Sequence, residues 1–401
     1  MLKSRLLWVG CVVLSIGFLL SCGGGDKTGF IYLVGQSDQN VAGYQMNLRT
    51  GVINTYNDAL QSIGNPVATG AQPNVLLIDP SQTTVYVSNQ GSNDISIFPI
   101  NKNGGLGSGS TVKLRAPVTN PAAMAIDPGG KFLFVTSIGK PADPNCGAKG
   151  PAPALCQAGI SVFKISSGSL SEVAGSPFSV LTDQQRISFG APVVPAGVAV
   201  ANSGNFVYVT EQSNNIVLGF SFNGSTGVLT PLPSTLTPPL WPVLVGNTPS
   251  GVFSPKIGDF LYVTNLVTNN IYEFKIESDG SLTTVVGSPV SAGVGPTVMF
   301  SDPNAKYLFA IGTQSNQILG YRVNQVTGAL TALNPPSVST GATPVAATIR
   351  SNDIVNGDYW IVVSDNAANA VSTIQFINST GAMTIEPQLV GPVAPFGIGS
   401  R

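Results

Sequence analysis

Leu261-Tyr262-Val263-Thr264-Asn265, followed five residues later by Asn270-Ile271-Tyr272-Glu273-Phe274, is the stretch on which the reading of this chain turns. A β-branched and aromatic run ending in Asn, a short polar gap and a second apolar run describe two antiparallel strands joined by a tight loop. The unit returns at Val85-Tyr86-Val87-Ser88-Asn89 with Asp94-Ile95, and at Val207-Tyr208-Val209-Thr210-Glu211 with Asn215-Ile216. Looser copies at Ile31-Tyr32-Leu33-Val34-Gly35, Leu133-Phe134-Val135-Thr136-Ser137, Leu308-Phe309-Ala310-Ile311-Gly312 and Ile361-Val362-Val363-Ser364-Asp365 bring the number to seven. A repeat of this kind decides the architecture before any single element does.

Outward from the unit, each copy opens on a proline. Pro249-Ser250-Gly251-Val252-Phe253, Pro195-Ala196-Gly197-Val198-Ala199 and Pro121-Ala122-Ala123-Met124-Ala125 precede their Tyr-Val strands, and Pro73, Pro296 and Pro344 open the others. Small residues there suit an innermost strand, where sheets crowd around an axis. Asp79-Pro80, Asp127-Pro128-Gly129-Gly130 and Asp302-Pro303-Asn304 supply the turn that follows, and Asp279-Gly280 and Thr327-Gly328 the turn into a fourth strand. Four antiparallel strands in roughly 50 residues form one blade of a β-propeller. The chain is therefore expected to be all-β, a seven-bladed propeller over residues 28–401. The first copy lacks an opening strand, while Pro395-Phe396-Gly397-Ile398 is a surplus one at the C-terminus; it is expected to complete the first blade and close the ring.

Lys3 and Arg5 precede an apolar run at residues 6–20, the pattern of a secretory signal and too short for a spanning helix of roughly 20 residues. The run ends in Leu19-Leu20-Ser21-Cys22, which resembles a bacterial lipobox. Residues 1–21 then read as signal peptide, Cys22 as the lipidated residue and residues 22–27 as a tether. Of the four cysteines only Cys146 and Cys156 remain for the folded part, both in one Pro/Gly/Ala-rich insertion and expected to form a loop-closing disulfide in an oxidising compartment. Their spacing is not C-x-x-C and the chain has no His, so a metal or redox pair is a poor fit. Charged residues make up 9% of the chain, against about a quarter in an average domain. A net charge of −1 gives no electrostatic footprint for nucleic acid. A single closed ring reads as a monomer, with no cofactor implied.

The Tyr-Val-Thr-Asn repeat, the Pro-x-Gly openings and Gly175-Ser176-Pro177 and Gly287-Ser288-Pro289 resemble the YVTN-repeat, lactonase-like seven-bladed propellers, over essentially all of residues 28–401. That resemblance implies kinship with cytosolic 6-phosphogluconolactonases, muconate-lactonising enzymes and many exported proteins. Family lactonases resemble one another in a Gly-Pro-Arg-His blade opening, with a Glu at the Asn place of the same blade. Here the nearest match is Gly295-Pro296-Thr297-Val298, and Gly312 stands where the Glu would be. Without His, Ser-His-Asp, Cys-His and His-metal mechanisms are excluded.

The candidate site is the ring of residues at the ends of the second strands: Gly35, Asn89, Ser137, Glu211, Asn265, Gly312 and Asp365. Glu211 and Asp365 are its acids and the candidate bases. Asn89, Ser137 and Asn265 are candidate ligand contacts, and Arg186 and Arg350 candidate cationic partners. Glu273, Lys275 and Glu277 read as decoration of an outer strand, and Trp241 as a lid or aromatic platform. Two function classes follow: a lipid-anchored module binding an envelope protein, glycan or small molecule, or a lactonase working through water oriented by Glu211 or Asp365.

Overall fold

Each repeat folds into a four-stranded antiparallel sheet because its apolar runs are strand-length and its gaps are turn-forming. The computed structural model describes residues 27–56, 59–116, 118–138, 158–181, 193–233, 242–352 and 357–401. Their strands form seven sheets, the blades. The innermost strands are Pro73–Ile78, Pro121–Ile126, Pro195–Val200, Pro249–Phe253, Pro296–Ser301 and Pro344–Ser351 in blades 2 to 7, and the C-terminal Pro395–Ser400 in blade 1. All seven begin with proline. Its partner is always the last residue of the second strand: Gly35, Asn89, Ser137, Glu211, Asn265, Gly312 or Asp365. A residue without an N–H is tolerated at the first position of a strand, and a register shift follows it in every blade. This defines a proline end of the ring, where second strands finish, and a hairpin end, where the first and second strands of blades 2 to 7 turn into one another.

Second strands such as Phe260–Asn265 are buried at every position, which a sheet with one wet face would not require. The reason is that each blade packs on two neighbours. The seven hydrophobic clusters correspond one to one with the seven blade interfaces; Phe134 and Val209 meet between blades 3 and 4, for example, and Ile31 and Val362 between blades 1 and 7.

The motif letters are the mortar of these interfaces. Tyr32, Tyr208 and Tyr262 donate their hydroxyls to the carbonyls of Gly104, Gly280 and Gly328 in the outer turn of the next blade, at 3.0, 2.8 and 2.8 Å. The Thr hydroxyls of blades 4 and 5 accept from the bulged N–H of Gly197 and Gly251, each at 2.8 Å. A Cβ on Gly251 would overlap the Thr297 carbonyl of blade 6, so the Pro-x-Gly opening reflects crowding between innermost strands.

The seam is closed from both sides. Pro395–Ser400 pairs with the first described strand, Thr28–Gly35, and Phe30 and Arg401 exchange backbone hydrogen bonds at 3.0 and 2.9 Å. Trp360 of blade 7 donates its indole N–H to Leu48 O of blade 1 at 2.8 Å. A second latch was not legible in the repeat. Thr55–Tyr56 and Ala59–Leu60, inserted before the outer strand of blade 1, form a hairpin whose Ala59 pairs with Val390 at the outer edge of blade 7.

Candidate functional site

At the proline end the second-strand termini do not stand open in the channel mouth. Asn89, Ser137, Glu211, Asn265 and Asp365 are all 0% exposed. What covers three of them is a glycine three residues before a blade-opening proline. A Cβ on Gly70, Gly246 or Gly341 would lie 2.8 Å from a side-chain carbon of Asn89, Asn265 or Asp365 respectively. That Gly-x-x-Pro spacing was present in the sequence, and it is the signal that could have foretold the burial.

The two acids differ. Glu211 is saturated: Oε1 accepts from the backbone N–H groups of Val194 and Ser213 at 2.8 and 3.0 Å, and Oε2 from Asn214 N and Nδ2 at 2.8 and 2.7 Å. Its geometry is that of a carboxylate capping its own loop. Asp365 is held on one oxygen only. Oδ2 accepts from Ser372 Oγ at 2.6 Å and Gln388 Nε2 at 3.0 Å, while Oδ1 is buried with no hydrogen-bond partner. Burial pushes the Asp365 carboxyl above the ordinary aspartate range, and the hydrogen bonds from Ser372 and Gln388 only partly offset it.

The amide members are turn-organising. Asn89 donates to Asp94 Oδ1 at 2.7 Å and Ser96 Oγ at 2.9 Å, and Asn265 donates to Asn270 Oδ1 at 2.9 Å. Their own Oδ1 atoms and Ser137 Oγ are buried without partners. Sequence reasoning missed a second set of asparagines, in the loop between second and third strands. Asn93, Asn215, Asn269, Asn316 and Asn369 all have φ between 50° and 58°. Their side-chain oxygens accept the N–H of Asn120, Thr248, Gly295, Thr343 and Ala394, the residue before the next blade's proline, at 2.7 to 2.8 Å.

Arg350 is not part of this cluster. It pairs with Trp360, whereas Asp365 lies opposite Pro344, so five residues of strand, about 17 Å at ~3.3 Å each, separate the guanidinium's backbone from the carboxylate's. Arg350 belongs to the hairpin end, half-buried, with an unpartnered Nε and a pKa lowered by desolvation. Arg186, Trp241, Cys22, Cys146 and Cys156 lie outside the described residues. The described cations of the proline end are Lys113 and Arg115, bound to Asp94 at 2.7 Å and Glu172 at 3.3 Å. In the channel wall of blade 6, Thr297 Oγ1 meets Thr313 Oγ1 at 2.8 Å, Thr313 in turn donates to Pro344 O at 2.8 Å, and Val298 is 36% exposed.

Glu273 requires a correction. It does not decorate an outer strand but sits 1% exposed between blades 5 and 6, Oε1 accepting from Leu330 N at 2.6 Å and Oε2 buried without a partner. The alternation misled because Phe274 and Tyr272 flank it as core residues normally flank a solvent-facing one. In a propeller both faces of a third strand meet a neighbouring blade.

A seven-bladed ring of Pro-opened blades with its polar cluster at the proline end defines a propeller of the lactonase type. The profile of the family "Lactonase, 7-bladed beta-propeller" matches residues 25–138 and 201–347, and the chain belongs to that family. It is 22% identical over 305 residues to a 6-phosphogluconolactonase of Bacillus subtilis strain 168, covering 75% of this chain and 77% of that protein. Among solved structures it is similar to the periplasmic gluconolactonase of Pseudomonas aeruginosa (TM-score 0.67, 14% identity, 93% of this chain and 99% of the other). It is equally similar to a functionally unknown protein of Desulfotomaculum acetoxidans (TM-score 0.66, 14% identity, 92% and 98% covered). At such identities the structures speak for the fold alone.

Proposed function

We propose that this protein is an exported, lipid-anchored lactonase of the cell envelope that opens an uncharged, sugar-type lactone at the proline end. The observation that carries the reading is Asp365, a buried carboxyl held in place through Oδ2 with Oδ1 left bare. A carboxylate with a raised pKa and one oxygen free is suited to take a proton from water. Water attacks the lactone carbonyl as Oδ1 takes its proton. The acyl carbon–ring oxygen bond then breaks, and the departing alkoxide recovers that proton, giving the hydroxy acid. Family membership and the relatives' names support this chemistry.

The restriction to an uncharged substrate follows from what replaces the Arg-His pair. Thr297 and Val298 stand at those places, and the cations of this end among the described residues, Lys113 and Arg115, are both engaged by acids, so none of the described residues offers a phosphate a free counter-charge there. Lipid attachment at Cys22 and a Cys146–Cys156 disulfide complete the reading; the basic-apolar-Ser-Cys leader and the oxidising compartment it leads to support them. One observation favours a second reading, a binding module without turnover. Asp365 lies wholly beneath the Gly341 connector, and lactone and water reach it only if that connector lifts.

A panel of phosphorylated and unphosphorylated lactones tests the proposal. Turnover is expected of the unphosphorylated compounds. Asp365→Asn is expected to lower it roughly 100-fold without lowering the melting temperature, whereas Glu211→Gln should leave activity per folded molecule intact. Saturable binding without hydrolysis would favour the module, and faster turnover of a phosphorylated lactone would overturn the uncharged substrate.

A further inference from the structure

The innermost strand ends the strand order of every blade, so its free edge faces the central channel. At the proline end one further residue per blade joins that wall, the residue that follows the second strand. In all seven blades its N–H donates to the carbonyl of the residue before that blade's own proline, at 2.9 to 3.2 Å. A shared register sends the seven side chains the same way. Two of them show where that is. Thr313 Oγ1 donates to Pro344 O at 2.8 Å and Asn366 Nδ2 to Pro395 O at 3.4 Å, in each case the opening-proline carbonyl of the next blade's innermost strand. The position therefore rims the channel mouth.

Blades 1, 2 and 4 carry glutamine there, as Gln36, Gln90 and Gln212. All three are half-buried, and among the described residues they are engaged through their backbone N–H and not through their side-chain amides. For Gln90 the corresponding carbonyl, Pro121 O, is already taken by Asn74 Nδ2 at 2.8 Å. Half-buried amides with spare donors and acceptors at a channel mouth are not spent on the fold. The two remaining positions are Ile138 and Leu266, so the rim is rich in amide, partly apolar and free of charged side chains.

We propose that this rim is the specificity filter of the proline end: Gln36, Gln90 and Gln212 hold hydroxyls of a neutral sugar ring, and Ile138 and Leu266 meet its C–H face. The proposal deepens the lactonase reading and rests on it for the identity of the ligand. A primary amide presents two donors and an acceptor, which matches a hydroxyl that both donates and accepts. The carboxylate formed on ring opening finds no counter-charge among these seven residues and departs, so the same rim that admits the neutral lactone rejects its product. Asn366 follows Asp365 directly, which brings the rim within one residue of the proposed base.

Titration calorimetry of the full chain with gluconolactam, the amide counterpart of gluconolactone that water does not readily open, reads binding without turnover. Gln36→Ala, Gln90→Ala and Gln212→Ala are each expected to weaken it about fivefold, as loss of one neutral hydrogen bond does. Lys164→Ala, an exposed change at the hairpin end, should leave it unchanged. Gluconate should bind the parent at least about tenfold more weakly than the lactam, and Gln212→Arg, which adds a cation to the rim, should narrow that gap. An unchanged melting temperature checks the fold of each variant. Absence of lactam binding, a triple alanine variant that binds the lactam as the parent does, or gluconate that binds as tightly as the lactam would overturn the filter. Glutamine-dependent lactam binding without turnover of any lactone would leave the rim standing and remove the lactonase, whereas turnover with kcat/KM indifferent to the three alanines would remove the rim alone.

Discussion

Glu273 shows what burial does to a charge in this ring. Its carboxyl is pushed above the usual glutamate range by desolvation, with the hydrogen bonds from Leu330 and Ser288 opposing the shift. A folded-state pKa raised above the unfolded value means that the folded chain holds the proton more tightly. The stabilisation is complete below the unfolded value and is lost as pH rises through the folded one. Gln, which resembles the protonated acid, cannot ionise. Glu273→Gln is therefore expected to match the parent near pH 4 and to exceed its stability near pH 8, measured by urea unfolding across pH. A constant difference across that range would show that Glu273 does not ionise on unfolding. The ring acids Glu211 and Asp365 could be picked out because they stand at the Asn place of a repeat. Which of them keeps a free oxygen depends on Asn214, Val194, Gln388 and Gly341, brought in by loops that the repeat does not encode. Arg350 stands at the end of the seventh opening strand in the same blade as Asp365, but the strand register puts the two at opposite ends.

At the scale of the element, Tyr-Val-Thr-Asn was legible as a strand before it was legible as a joint. Alternation and turn residues gave the strands, yet only the packed ring shows that Tyr reaches the next blade's outer turn and Thr holds the opening bulge. Blade 1 was the exception: its outer strand is reduced to Val67–Ala68, and the intervening hairpin serves blade 7. The joint can be tested at Gly328. Its φ is +80°, a Cβ there would sit 2.5 to 2.8 Å from the Phe260 ring, and its carbonyl receives the Tyr262 hydroxyl. Gly328→Ala thus combines a left-handed backbone cost of about 1–2 kcal/mol with overpacking of about 1–3 kcal/mol. Gly64, at φ +74° with nothing within 4 Å of a Cβ, isolates the first term. Thermal melts of both variants are expected to rank Gly328→Ala well below Gly64→Ala, and equal losses would mean that the blade 5–6 joint gives way without cost.

Closure belongs to the whole molecule, and the two termini are what make the ring one unit. If Pro395–Ser400 is the innermost strand of blade 1, deletion from Ala394 onward removes a central strand and bares Thr28–Gly35 along an apolar edge. Ile398, 6% exposed in the cluster shared by blades 7 and 1, forfeits about 1.5–3 kcal/mol of burial by itself. The exchange between Phe30 and Arg401 is lost with it, and so is the seat of Asn369 Oδ1 on Ala394 N. The Thr55–Tyr56 hairpin and the Trp360–Leu48 bond still span the seam, but both lie away from the axis and supply no strand to the exposed edge. Against a net stability of about 5–15 kcal/mol for a typical domain, losses of this size leave little folded protein. The truncated chain is expected to aggregate or to melt far below the intact one, whereas deletion of residues 23–26 should not shift the melt. Lys27 has to be kept in that comparison, because its carbonyl accepts from Leu48 N at 3.0 Å and so belongs to the ring. Equal melting of the truncated and intact chains would mean that blade 1 is held by its outer contacts alone, and the latches at Ala59 and Trp360, not the C-terminal strand, would then carry closure.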